Sequence, residues 1–238
     1  MERADIVFCL EALRKTLYKS LVVVGIAGLL AFLFSKKLVL LLIQAVHVKV
    51  YYFTLPEVFL ATVELAIYTG AFLSVPLVAL IAWREFRPLL QREKVRGHLF
   101  AGFAILLFYL GSLFCLVVAL PNGIAFLLSY EGGVIKAMIS IKRLILFCAA
   151  MLFAFGAAFE LPLALLFLSK FKIVTARSLA KGRRYAVLII VVVASVLTPT
   201  PDIYNMSLLA GPLYILYECG LLLVRMQEKN ATGTGSLS

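Results

Sequence analysis

Three acidic residues stand inside stretches of the sequence that are otherwise almost free of charge: Glu64, Glu160 and Glu218. A carboxylate in the middle of a membrane helix costs at least about 2.5 kcal/mol, so each should face protein or water, or be protonated. Pro162 follows Glu160 by two residues, and it removes the hydrogen bond to the Ala158 carbonyl and favours a kink. Such a bent, polar helix offers a docking point for a polar side chain of a partner's transmembrane helix. An internal hydrogen bond, for instance to Ser195, is an equal alternative.

Residues suited to other chemistry are few and scattered. The four cysteines are far apart without a C-x-x-C pair, the two histidines are isolated, and the sequence has no H-E-x-x-H, G-x-S-x-G or P-loop motif. These spacings argue against a zinc, redox, hydrolase or nucleotide site. An intramembrane hydrolase is a distant alternative, because no acid pair, Ser/Lys pair or metal set occurs at usable spacing.

The elements that carry the three acids belong in a membrane. Of the 238 residues, 63% are apolar and 15% are charged, and the mean hydropathy is +1.06. Soluble domains carry about 45–50% apolar and about 25% charged residues, so the composition excludes an ordinary cytosolic protein. It also excludes a disordered chain, which needs few apolar residues and much charge. The length allows roughly six membrane-spanning helices of about 20 residues each.

Six apolar runs predict an all-α integral membrane protein with helices over about 17–34, 57–83, 98–120, 144–169, 185–197 and 205–224. Backbone groups in lipid must be satisfied internally, and the runs lack the alternation of a barrel strand. The last two helices are short, since the run 186–197 rises only about 18 Å against a hydrocarbon core of about 30 Å. We expect one membrane domain over residues 1–230, a disordered tail over 231–238, and a cap of short interfacial helices in the outer loops 35–56 and 122–143.

Basic residues are distributed unevenly between the two faces of this topology. Seventeen of the 23 Lys and Arg residues fall in the terminal segments and in the predicted loops 84–97 and 170–185, and six fall on the other face. The positive-inside rule then places both termini in the cytoplasm. The net charge of +11 is therefore a topology signal, and no nucleic-acid partner is expected.

Short motifs are spread over nearly the whole chain, and the most specific is Leu197-Thr198-Pro199-Thr200-Pro201-Asp202. The others are LLAGP at 208–212, LYE at 216–218, FGAAFELP at 155–162, FYLG with Phe114 and Pro121 at 108–121, RRY at 183–185, Pro76 with Trp83 and Pro88, and LRK with Leu17 at 13–17. Together they resemble the motifs of the TatC family, the multispanning core subunit of the twin-arginine protein translocase. The chain departs from the family pattern at Cys9, Ala12, Glu64, Met206 and the extra Thr200.

The resemblance implies a protein of the cytoplasmic (inner) membrane of a prokaryote that recognises twin-arginine signal peptides and nucleates a translocase for folded proteins. It implies energy from the proton-motive force, no cofactor and no covalent chemistry, and hence no enzyme. The implied partners are small single-span Tat subunits of the TatA and TatB type, twin-arginine signal peptides, the lipid bilayer and further copies of this chain. A proton- or ion-coupled transporter of small solutes is the main alternative, and it predicts a water-lined path joining Glu64, Glu160 and Glu218.

The resemblance places the signal-peptide site on the N-terminal tail and first cytoplasmic loop, with four candidates: Glu93, Glu11, Arg14 and Glu85. Carboxylates suit this task because a guanidinium pairs with them bidentately, whereas an ammonium cannot. The cytoplasmic face carries 17 basic residues and six acids, so a cationic peptide is attracted only where a local acidic patch outcompetes the general field. Solvated loop charges are the alternative for Glu85 and Glu93.

Two further groups of residues are candidates for structural or docking roles. Pro199 and Pro201 force an extended turn, after which Asp202 is expected to cap the sixth helix, whose N–H groups favour a carboxylate. Pro212 and then Glu218 interrupt the last apolar run. The candidates for partner-helix docking or intramembrane polar contacts are Glu160, Pro162, Glu218 and Glu64.

Overall fold

The computed structural model describes residues 3–46, 50–91, 97–129, 138–170, 173–197 and 203–233, and these are almost entirely helical. The helices are, in chain order, α1 (Arg3–Leu33), α2 (Ser35–Val46), α3 (Leu55–Gln91), α4 (Gly97–Phe114), α5 (Leu120–Ser129), α6 (Ile141–Phe159), α7 (Leu161–Lys170), α8 (Ala176–Lys181), α9 (Arg183–Leu197) and α10 (Ile203–Gly233). A short parallel bridge pairs β1 (Val50–Tyr51) with β2 (Ile139–Ser140). The predicted all-α fold class is confirmed.

Five stretches of the described residues are long and apolar enough to cross a membrane: Glu11–Leu33, Pro56–Glu85, Phe100–Phe126, Ile141–Phe159 and Leu209–Lys229. They coincide with five of the six predicted spans. The remaining span is α9, which has 15 residues and rises about 22 Å, so its predicted shortness is confirmed.

The last helix is longer than predicted. α10 continues through Pro212 to Gly233, nine residues past the predicted end at Val224, and it reaches three residues into the expected tail. A proline is tolerated inside a membrane helix because neighbouring groups can satisfy the carbonyl that it frees.

Two further helices extend beyond the ends that hydropathy predicts. α3 continues to Gln91, so the predicted loop 84–97 begins as helix, because Arg, Glu and Gln end an apolar run without opposing a helix. The helix predicted over 98–120 continues through a π-helical turn (Cys115–Ala119) into α5, which contains residues expected in the outer cap. Pro121 lacks an N–H, and in the same turn the Asn122 side-chain amide donates to the Val118 carbonyl at 2.7 Å.

At Pro162, where a kink is predicted, the structure has a break between two helices. A turn at Glu160 separates α6 from α7, so the span predicted over 144–169 is two helices. The Glu160 N–H donates to the Ala157 carbonyl at 3.1 Å, and the Glu160 carbonyl accepts from Ala164 N–H at 2.9 Å. The acid therefore lies at the junction, and the chain resumes its helix one residue later.

Contacts group the chain into two compact units, and the first comprises Met1–Leu106 and Glu131–Phe153. In this unit α1 packs along α3, with Lys19 beside Glu85 and Gly28 against Gly70. These pairs follow opposite chain directions, so the two helices are antiparallel. A Cβ atom on Gly70 would collide with the backbone of Gly28, so glycine permits the close approach. That the whole chain is one membrane domain stays a prediction.

The second unit comprises Leu107–Tyr130 and Ala154–Ser238. Glycines and phenylalanines interlock between its parts of α4 and α6. A Cβ atom on Gly111 would lie 2.6 Å from the Phe155 carbonyl oxygen, and one on Gly156 would lie 2.5 Å from the Phe108 ring. The Phe114 ring lies 5.9 Å from that of Phe155. These residues belong to the motifs at 108–121 and 155–162, so both motifs reflect close packing of two helices.

Candidate functional site

An ion pair joins α1 to α3 where the candidate span of α3 ends. Lys19 Nζ lies 2.5 Å from Glu85 Oε1, and the side chains are 54% and 19% exposed. Lys15, one turn away on α1, adds a second positive charge within electrostatic range of Glu85. Glu85 is thus a half-buried helix residue with a lysine counter-ion, so the alternative of a solvated loop charge is wrong for it.

The N-terminal half of α1 carries two more signal-peptide candidates, Glu11 and Arg14, and both side chains are exposed. Glu11 Oε2 lies 3.8 Å from Lys15 Nζ in an i, i+4 pair, which is worth little between exposed groups. Because α1 and α3 are antiparallel, the start of α1 and the end of α3 lie at the same end of the helix pair. The structure therefore brings Glu11, Arg14 and Glu85 to one end of this unit.

Two hydroxyl groups on α1 have no hydrogen-bond partner within the described part of the chain, Thr16 Oγ1 and Ser20 Oγ. Thr16 is only 9% exposed. Since successive residues of a helix are rotated by about 100°, residues 16, 19 and 20 share one side of α1. The Lys19–Glu85 contact shows that this side faces α3, so the ion pair lies beside hydroxyls that can still accept hydrogen bonds.

Glu160 is half-buried in the turn between α6 and α7. Ser195, the internal partner considered for it, instead donates its hydroxyl to the Val192 carbonyl at 2.8 Å. The neighbouring Pro162 is buried against α10, where a Cβ atom on Gly220 would lie 3.0 Å from Pro162 Cα. The start of α7, where Pro162 lies, therefore packs against α10.

Glu218 ties the short helix α9 to α10. Its carboxylate accepts from Arg183 Nη2 at 2.9 Å and from the Tyr214 hydroxyl at 3.0 Å. The Tyr217 hydroxyl donates to the Leu179 carbonyl at 2.8 Å and so holds the chain just before α9. Of the alternatives open to an acid in an apolar run, Glu218 faces protein, and neither of its partners was predicted.

Glu64 is compensated within the first unit. Its Oε1 lies 3.1 Å from Lys142 Nζ, and the side chains are 30% and 43% exposed. This pair links α3 to α6. Because Glu64 and Glu218 each have a cationic partner of their own, both acids already have the internal compensation that a membrane charge requires.

Glu57 lies outside the sequence-predicted sites, although it is buried at 8% exposure. Its Oε2 accepts from Phe53 N–H at 2.6 Å and from Thr54 N–H at 3.3 Å, and its Oε1 accepts from the Ser140 hydroxyl. Ser140 Oγ accepts in turn from Arg143 N–H at 3.4 Å, at the start of α6. The signal that could have found Glu57 is the capping box T-L-P-E at 54–57, which here joins the first turns of two helices.

The structure describes seven acidic side chains, and six of them have a bonded partner in the described residues: Glu11, Glu57, Glu64, Glu85, Glu218 and Glu228. Within that same part of the chain, Glu160 is the acid whose carboxylate has no hydrogen bond or ion pair. No group of three or more His, Cys, Asp or Glu that could hold a metal occurs among the described residues. Four candidates lie outside them: Glu93, Pro199, Pro201 and Asp202.

Comparison with known proteins assigns this arrangement to one family. A family model described as Sec-independent protein translocase protein (TatC) matches residues 9–212. A Sec-independent protein translocase protein TatC of Carboxydothermus hydrogenoformans is 31% identical over 220 residues, which cover 91% of this chain and 90% of that protein. One of Desulforapulum autotrophicum is 33% identical over 227 residues, covering 92% and 84%. A crystal structure of the twin arginine translocase receptor TatC in DDM is similar with a TM-score of 0.75 and 28% identity, covering 90% of this chain and 98% of that one.

Proposed function

The chain belongs to the TatC family of Sec-independent protein translocase proteins, and from this premise we propose how its own residues recognise a signal peptide and assemble a translocase. It is a multi-pass membrane protein of the twin-arginine translocation system. Nothing in the comparisons supports the alternative of a small-solute transporter. The proposal concerns the partners, the orientation and the residues that serve the function.

The observation that carries the proposal is the gathering of Glu11, Arg14 and Glu85 at one end of the antiparallel α1–α3 pair. An arginine pair of a signal peptide needs carboxylates that two guanidinium forks can reach. Glu11 is exposed and holds its lysine only at 3.8 Å, so it is available. Glu93 follows the last described residue of α3 by two positions in sequence, and we include it in the same acidic patch.

This end of the molecule would face the cytoplasm of a prokaryote. The seventeen basic residues assigned to that face support the orientation by the positive-inside rule. Both termini then lie in the cytoplasm, where a signal peptide arrives on a folded protein, and the proton-motive force supplies the energy for transport. Further copies of this chain and the surrounding bilayer complete the assembly.

Glu160 is the proposed docking point for a small single-span subunit of the TatA or TatB type. Other described acids already have a donor or a cation, whereas Glu160 is half-buried at a helix break without such a partner among the described residues. A carboxyl group in that position is stabilised by a hydrogen bond to any polar group that a neighbouring helix brings close to it. The partner would thus satisfy a group that this chain leaves open.

Binding of a fluorescent twin-arginine peptide to the purified protein tests the recognition step. Glu93→Gln and Glu11→Gln should each weaken binding about tenfold, since each removes a charge-assisted bidentate pair. Glu228→Gln is the matched control with the same change of charge, and a twin-lysine peptide controls for general attraction. Equal affinities for the two peptides, or unchanged affinity in both acid variants, would refute the proposed site.

Co-purification with the single-span subunits tests the docking step. Glu160→Ala should lose them while binding the twin-arginine peptide as the unaltered protein does, and Glu160→Gln should keep a part of the association because its amide still forms hydrogen bonds. Complementation of a Tat-deficient strain with twin-arginine and twin-lysine reporters completes the test. A Glu160→Ala protein that still retains the subunits and exports the reporter contradicts this role.

A further inference from the structure

We propose that Lys19 is an internal competitor of the signal peptide, which occupies Glu85 until an arginine of the peptide displaces it. This inference rests on the proposed function, because it concerns the same end of the α1–α3 pair. It adds a residue that sets the affinity of the site. Neither the hydropathy nor the motifs of the sequence point to Lys19, and only the fold brings it to Glu85.

The geometry gives Lys19 the properties of a displaceable counter-ion. Its Nζ contacts a single oxygen, Glu85 Oε1, at 2.5 Å. Its side chain is 54% exposed, whereas that of Glu85 is 19% exposed. A lysine side chain has four rotatable bonds and carries its charge readily into water. The ammonium can therefore leave, while the carboxylate is held by its position in α3.

A guanidinium can use Glu85 better than Lys19 does. The ammonium engages one carboxylate oxygen, whereas an arginine fork engages both oxygens in parallel. A guanidinium has five N–H donors, and two of them suffice for the carboxylate. The hydroxyl oxygens of Thr16 and Ser20 are buried on the same side of α1 as Lys19 and have no partner in the described part of the chain, so this side of the helix still has unsatisfied acceptors.

Competition of this kind has a definite thermodynamic signature. A ligand that uses Glu85 can bind only the molecules in which this carboxylate is free, so its apparent affinity is the intrinsic affinity multiplied by the fraction of such molecules. Weakening the internal pair should therefore tighten binding, and strengthening it should loosen binding, even though the charge at position 19 need not change. A general field effect would follow the net charge alone.

Three variants at two positions separate these explanations in the peptide-binding assay. Lys19→Gln removes the competitor and should tighten binding of the twin-arginine peptide by up to about fivefold, the upper end of what a partly exposed ion pair contributes. Lys19→Arg keeps the charge, supplies a bidentate competitor and should weaken the peptide about fivefold. Arg84→Gln removes an exposed positive charge beside Glu85 and should have a clearly smaller effect than Lys19→Gln.

A double-mutant cycle shows whether Lys19 acts through Glu85. In a Glu85→Gln background, Lys19→Gln and Lys19→Arg should have equal affinities, because nothing remains to compete for. The thermal unfolding midpoint of each variant serves as the readout for a purely structural role, since loss of a structural pair would lower both stability and affinity. Competition instead predicts that the Lys19→Gln variant binds the peptide more tightly, whether its unfolding midpoint falls or is unchanged.

The outcomes distinguish this inference from the function on which it rests. If the unaltered protein does not prefer the twin-arginine peptide to its twin-lysine counterpart, the proposed recognition fails, and the competition fails with it. If the unaltered protein does prefer the twin-arginine peptide, two results would refute the competition alone. One is that Lys19→Arg binds like the unaltered protein, and the other is that Arg84→Gln tightens binding as much as Lys19→Gln does. The competition is supported if the two Lys19 variants shift the peptide affinity in opposite directions and if this difference disappears in the Glu85→Gln background.

Discussion

Replacing Gly111 by alanine tests how closely α4 and α6 pack in the second unit. The added Cβ atom would lie 2.6 Å from the Phe155 carbonyl oxygen and 2.7 Å from Phe159 Cγ, about 0.8 Å inside an ordinary 3.4 Å contact. The obstacle includes backbone, so a rotamer change of one side chain cannot relieve it. Overpacking of this kind costs about 1–3 kcal/mol, and the better helix propensity of alanine returns about 1 kcal/mol.

The net loss of up to about 2 kcal/mol should lower the unfolding midpoint by up to roughly 8 °C, since about 1 kcal/mol shifts a protein of this size by about 2–4 °C. A thiol-reactive dye provides the assay, because Cys115 is fully buried and lies in the same unit. Its labelling on heating reports the opening of the α4–α6 packing. The last turn of α6 leads directly into Glu160, so the same variant should also retain less of the single-span subunits.

Gly102→Ala is the matched control on the same helix. An added Cβ atom there meets nothing within 4 Å, so the identical chemical change should leave the midpoint unchanged or raise it slightly through helix propensity. A Gly111→Ala protein that unfolds at or above the midpoint of Gly102→Ala would refute the interpretation that glycine is needed for this contact.

The remaining predictions concern three further contacts. Gly156→Ala should destabilise the protein by a similar amount, but here the added Cβ atom meets the Phe108 ring. Adding Phe108→Leu should therefore recover part of the lost unfolding temperature. A double variant that shows no recovery would contradict this explanation. Arg183→Gln should lower the midpoint because it leaves Glu218 charged without its cation, whereas adding Glu218→Gln should recover stability; additive losses in the same thermal assay would exclude the pairing. Glu57→Ala should accelerate hydrogen exchange of the two backbone amides that its carboxylate now holds, and unchanged exchange there would show that the capping box does not stabilise the start of α3.

Hydropathy predicts the helices of this chain well and their ends poorly. The apolar runs located all five long spans found among the described residues, and the shortness of α9 followed from its 12-residue apolar run. Hydropathy responds to the passage from lipid to water, whereas a helix ends where its backbone bonds end. α3 therefore continues past its predicted end at Trp83 to Gln91, and α10 continues past its predicted end at Val224 to Gly233.

The polar contacts were predictable only where they are local. The capping box at 54–57 and the break before Pro162 follow from residues within four positions of each other. The pairs Lys19–Glu85 and Arg183–Glu218 join residues 66 and 35 positions apart, and no spacing rule relates them. A sequence shows that an acid in an apolar run needs a partner, but the packing of the helices decides which cation reaches it.

The distribution of these partners separates the two halves of the proposed function energetically. At the α1–α3 end, Glu85 already has a lysine, so at this carboxylate a signal peptide exchanges one ion pair for another, and the difference between guanidinium and ammonium decides what the exchange contributes to binding. Such an exchange favours arginine over lysine, keeps affinity moderate and lets the peptide leave. At Glu160 the described residues offer no internal partner, so a docking helix adds interactions without displacing any. The peptide should therefore bind reversibly and the single-span subunits persistently, as a receptor that stays assembled while its cargo changes requires.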